Sequence, residues 1–141
     1  MTNPIDIQNL ADLRINEALK LQESDFPDGA FYLAGYAVEL YLKAKICETI
    51  DVPNFYEQHV PKSDLSKTFL IHNLDRLVLL SGLYTKFEAE KDVNPDFAQH
   101  WADVSAWSEK SRYNAPNTKS NREALEFIES SKIIIEWIKT H

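Results

Sequence analysis

Between Gly29 and Thr49 the sequence carries no proline and places apolar side chains on nearly every side of a helical wheel. At about 100 degrees per residue, Ala30, Ala34, Ala37, Tyr41 and Ala44 form a narrow stripe of small residues with one ring. Leu33, Val38, Leu40, Leu42 and Ile46 spread over most of the remaining circumference. A helix apolar all round is stable only when other helices cover it, so this segment must lie centrally. The alanine stripe permits close backbone approach, which suits a core helix, a subunit interface, or both. Asp28 reads as the N-cap, and Pro53 lies beyond the end.

The rest of the chain supplies the cover. A first helix is expected from about Asn9 to Gln22, with Leu10, Leu13, Glu17 and Leu21 along one face. A third covers about Phe69 to Leu80 and stops at Ser81-Gly82, and a short amphipathic piece follows from Leu83 to Lys91. Asn94 and Pro95 start a fourth helix through about Ser108, carrying Phe97, Trp101, Val104 and Trp107. The last runs from about Asn121 to Lys139, with Ala124, Phe127, Ile128, Ser131, Ile134, Ile135 and Ile138 on one wide face. Between Ile50 and Lys67 the pattern fails, which predicts a long loop with Phe55 and Tyr56 as anchors. No strand-like alternation or hairpin signal is present. The expected fold is all-α, an antiparallel up-and-down bundle of about five helices forming one domain over residues 1–141.

Composition narrows the function classes. Cys47 is the only cysteine, which excludes an internal disulfide and a cysteine-based zinc cluster and suits a reducing cytoplasm. The start lacks the basic and apolar regions of a secretory signal, and no apolar run is long enough to span a membrane. Three glycines make a phosphate-cradling loop improbable, and no zinc-protease helix or nucleophile elbow occurs. His59, His72, His100 and His141 show no metal-ligand spacing, so neither a metal nor another cofactor is expected. A net charge of −7 disfavours general attraction to nucleic acid. Yet the stretch from Ser108 to Arg122, with Lys110, Arg112, Lys119 and Arg122 against Glu109, carries +3.

Two constellations are candidates for chemistry. Tyr32, Tyr36, Glu39 and Lys43 form one polar stripe on the apolar second helix. On a solvated edge Glu39 and Lys43 are an i, i+4 pair worth about 0.2–0.5 kcal/mol. On a helix otherwise covered, two charges need each other, a partner chain or a ligand. The second constellation is Trp107 through Asn114, where Arg112 offers a fork for a carboxylate or phosphate and Tyr113 a ring and a hydroxyl. Its structural reading pairs Arg112 with Glu39 or another acid while Tyr113 closes the core. His72, beside Ile71 and Leu74, reads more readily as a hydrogen-bonded core or capping group than as a catalyst.

The run from Gly29 to Ala44, GAFYLAGYAVELYLKA, resembles the signature helix of the HEPN family. His72-Asn73-Leu74 with Leu77 is similar to that family's histidine-led third helix, and Trp107 with Arg112-Tyr113 to its motif before the last helix. The resemblance extends over about Leu10 to Ile138. It implies a dimerising helical bundle, in prokaryotes often encoded beside a small nucleotidyltransferase or acting in toxin–antitoxin and phage-defence systems. Many members are metal-independent ribonucleases with an arginine, four to six residues and a histidine. Here the positions that should hold the histidine after Arg112 are Asn117, Thr118 and Lys119, and Arg14, Arg76 and Arg122 lack one as well. The expectation is therefore a cytoplasmic, homodimeric, non-catalytic module. It would bind a nucleotide, RNA or a partner protein such as a nucleotidyltransferase through Glu39, Lys43, Arg112, Tyr113 and His72. The alternative is a divergent ribonuclease or toxin using Arg112 and His72.

Overall fold

The computed structural model of the chain describes residues 3–51 and 70–141. Among them are six α-helices: α1 (Pro4–Glu23), α2 (Pro27–Thr49), α3 (Leu74–Leu80), α4 (Tyr84–Val93), α5 (Pro95–Ser105) and α6 (Asn121–Thr140). A 3-10 turn, Glu109–Tyr113, lies between α5 and α6. The count corrects the expected five, because the amphipathic piece after Gly82 is a full helix, α4. Beyond Asp51, the expected long loop with Phe55 and Tyr56 falls outside the described residues.

Local chemistry sets most boundaries. Asn3 caps α1 by accepting the Asp6 N–H at 2.9 Å, and Asn94 caps α5 by accepting that of Phe97 at 3.1 Å. Ser120 and Glu123 form a reciprocal capping box on α6. Gly82 takes φ +79, the left-handed conformation in which the chain turns from α3 to α4. The cap of α2 departs from expectation. Pro27 occupies its first turn, Phe26 precedes it, and Asp28 lies inside the helix with its carboxylate turned to another task.

Helix α2 is the central element, as its pattern demands, and packs against α1, α3, α6 and the 3-10 turn. The whole alanine stripe is buried within the single chain. The turn from Ser24 to Phe26 is so short that α1 and α2 must run antiparallel. The face α1 buries fully is Ile7, Ala11, Ile15 and Ala18; of the expected Leu10, Leu13, Glu17 and Leu21, only Leu10 and Leu21 pack against the core, half-buried at its margin. Leu13 is 50% exposed and Glu17 forms a surface ion pair with Arg14. Small residues explain the rotation: fully buried alanines on both α1 and α2 let these neighbouring helices approach more closely than leucines would. At the other side of the bundle, Phe87 stands edge-on to Trp101 at 4.6 Å and to Trp137 at 5.2 Å. These rings bind α4, α5 and α6 together.

Candidate functional site

The polar stripe of α2 leads to two places of different character. At one end, Trp107 descends from the end of α5 and is buried against Gly35. A Cβ at Gly35 would lie only 2.2 Å from the indole Cδ1, so glycine is what admits the ring. Tyr32 flanks the indole at 6.0 Å, and Tyr36 stacks on Tyr32 at 6.2 Å. With Trp107 anchored, Ser108 caps the 3-10 turn by accepting the Lys110 N–H, and the turn delivers Arg112 above Tyr32. The Arg112 guanidinium is exposed, lies beside Tyr32 and rests 4.8 Å over the Tyr113 ring; the two tyrosines raise its pKa further.

The loop after the turn is held from a distance. Asp28 accepts the backbone N–H groups of Asn117 at 2.6 Å and Lys119 at 2.9 Å. Asn117 has φ 62, a bend that asparagine tolerates. Asp25 accepts from the Asn121 amide at 2.6 Å. Lys119 is thereby laid with Nζ 4.4 Å over the Phe31 ring. Arg112, Lys119, Tyr32, Phe31, Asp28 and Ser111 are among the residues lining a cleft of about 220 Å³. The buried Ser111 Oγ has no hydrogen-bond partner.

At the other end of the stripe Glu39 and Lys43 are both buried, Glu39 to 1% exposure. Lys43 Nζ lies 3.7 Å from Glu39 Oε1. The same oxygen lies 2.6 Å from His72 Nδ1. Asn73 caps α3 by accepting the Arg76 N–H, which sets His72 just ahead of that helix. Burial pushes the Glu39 carboxyl above its ordinary range, partly offset by Lys43 and by the hydrogen bond from His72. Burial likewise pushes the Lys43 ammonium down, with Glu39 resisting. The Tyr36 hydroxyl is raised by burial and by Glu39.

The five candidate residues therefore divide. Glu39, Lys43 and His72 form one cluster; Arg112 lines the cleft, and Tyr113 stands outside the lining with its ring under the Arg112 guanidinium. Arg112 meets Tyr32, not Glu39, and among the described residues pairs with no carboxylate. Tyr113 does not close the core, being 75% exposed. Lys119, Ser111 and Asp28 join the cleft without having been singled out. The +3 stretch was a signal for Lys119; nothing local in the sequence marks the reach of Asp28 across 89 residues. Among the described residues, no three His, Cys, Asp or Glu side chains are grouped to hold a metal ion, and no helix is long and apolar enough to cross a membrane.

Comparison with curated proteins and with solved structures finds no match for this chain. The family model described as the HEPN domain matches residues 8–141, spanning α2, the His72 segment, the Arg112 turn and α6. With that match across nearly its whole length, the chain belongs to the HEPN domain family.

Proposed function

We propose that this HEPN-family chain is a homodimeric binding module whose cleft takes the phosphate of a nucleotide. The observation that carries this reading is that Arg112 and Lys119 line one cleft, with Ser111, whose buried hydroxyl has no partner, in the same lining. Two cations and a hydroxyl donor match phosphate oxygens. The volume, about 220 Å³, falls below the roughly 300–1,000 Å³ of sites that enclose a whole small ligand. A bound nucleotide would place its phosphate inside and its base outside, where the exposed Tyr113 ring offers a stacking face. A homodimer, a nucleotidyltransferase partner and a place in a toxin–antitoxin or defence system follow from family resemblance alone.

Calorimetric titration with ATP and GTP tests the reading, alongside an oligoribonucleotide and Arg112→Ala. Saturable nucleotide binding that Arg112→Ala weakens supports it. Preferential binding of the oligoribonucleotide would move the assignment to RNA. No binding of any of them would leave protein capture as the function. Light scattering on the same sample reports whether the chain is dimeric.

A second reading, metal-independent RNA cleavage by Arg112 and His72, rests on the Glu39–His72 contact. It engages one ring nitrogen and orients the other for proton transfer. Against it, Arg112 and His72 line separate cavities, and Trp107 and Lys110 belong to the cavity of His72. Metal-free cleavage of total RNA that disappears in His72→Ala would favour this second reading over the first.

A further inference from the structure

In front of the buried pair lies a second cavity, of about 330 Å³, lined by residues including His72, Arg76, Trp107, Ser108, Glu109 and Lys110. Its chemistry is set by what stands behind it. Glu39 is almost fully buried, and its Oε1 serves both Lys43 and His72. A buried carboxylate beside an ammonium is already neutralised as a pair, so the additional contact with Nδ1 chiefly orients the imidazole. With Nδ1 engaged, Nε2 has no partner among the described residues and sits on a side chain 43% exposed. In its charged form His72 presents Nε2–H as a donor. Arg76 and Lys110 line the same cavity, and among the described residues neither is paired with a carboxylate. Glu109 is the one acid among the described lining residues and accepts from Ser108 Oγ at 3.3 Å.

We infer that this cavity is a separate binding site for the phosphoryl group of a small molecule, held by His72, Arg76 and Lys110. Three donors lining one concavity suit the three outer oxygens of a phosphoryl group. The cavity, about 330 Å³, is an open depression with room for one compact phosphorylated group. The cleft of Arg112 shares none of these lining residues, so the two are distinct sites.

The test is a titration of the intact protein with inorganic phosphate and with ribose 5-phosphate. The His72 imidazole and the Arg112 side chain are followed by NMR in the same sample. Saturable shifts at His72, with a midpoint distinct from any at Arg112, are expected. Arg76→Ala and Lys110→Ala should each weaken the His72 response about tenfold, the loss of one charge-assisted hydrogen bond. Glu109→Gln should tighten it, because the acid opposes an anion. Both cations are exposed, so these variants keep the fold; their thermal unfolding verifies it. The inference fails if His72 shows no saturable response, or if the cation variants leave that response intact. It fails equally if a 5′-phosphorylated oligoribonucleotide outcompetes ribose 5-phosphate there.

Discussion

Glu39 and Arg112 serve the same helix face within two helical turns of each other, yet one is a buried charge and the other an exposed one. Glu39 and Lys43 have left water and depend on each other and on His72. Arg112 keeps its hydration, rests against tyrosine and, among the described residues, pairs with no carboxylate. In the first region removal of one partner strands the other in a low-dielectric interior, so the cost appears as stability. In the second, removal leaves nothing stranded among the described residues, and on the proposed function the cost should appear as lost binding. Burial, more than residue type, decides which of the two a charge supports.

The largest expected effect breaks the buried side. Lys43→Met leaves Glu39 without its ammonium and should cost about 3–5 kcal/mol in urea unfolding. The double change Glu39→Leu with Lys43→Met should recover much of that loss, since an apolar pair strands no charge. Arg112→Ala should leave the urea midpoint unmoved while weakening the cleft. A double variant as unstable as Lys43→Met alone would mean the charges shape the fold beyond their pairing.

Next in size is Gly35→Ala, which drives a methyl into the Trp107 indole. Overpacking of this kind costs about 1–3 kcal/mol, less any helix propensity gained. Because Trp107 anchors the turn that carries Arg112, ligand binding in the cleft should fall with it. Tryptophan fluorescence and calorimetry on one sample would show both, and a drop in only one would uncouple the anchor from the cleft.

Asp28→Asn sharpens the comparison through its sign. The carboxylate lines the cationic cleft, so electrostatics alone predicts tighter anion binding when it is neutralised. Its two backbone hydrogen bonds predict the reverse, because an amide cannot accept both in the same way and the Lys119 segment loosens. The positioning role requires weaker binding, with a stability loss of about 1 kcal/mol for one hydrogen bond.

The smallest effects concern titration. Burial raises the folded-state pKa of Glu39 above 4.5, so folding takes up a proton in the window above that value. Its contribution to stability is full below the ordinary carboxylate pKa and is lost as pH rises through the raised one. Lys43 has the opposite slope: with its folded pKa lowered, stability is regained as pH rises toward 10.5. Glu39→Gln should flatten the acidic part of the unfolding-midpoint profile. Cys47, buried and pushed up to about 11, should resist alkylation at pH 8 until the chain unfolds.

Much of the bundle was legible because helices are local. The apolar circumference of α2, the Asn94 cap, the Gly82 stop and the apolar face of α6 all follow from neighbours a turn apart. The failures share a different cause. On α1, the leucines were the more hydrophobic choice, but the alanines of α2 favoured alanines opposite them, a decision taken between helices. Asp28 had the right residue type for a cap, and proline at 27 with a distant loop gave it another role. The tyrosine–glutamate–lysine stripe was visible as a stripe; that its two ends differ in burial was not.

From the sequence alone came a helical family fold with α2 at its centre, a polar stripe upon it and a basic segment before the last helix. Tertiary structure alone decided that His72 meets Glu39 across 33 residues, that Arg112 goes to Tyr32, and that two cavities stand where one site was expected. Periodicity and capping are written in contacts three and four residues apart. Which distant side chains meet depends on how helices rotate and close upon one another, and that is fixed only when the whole core packs.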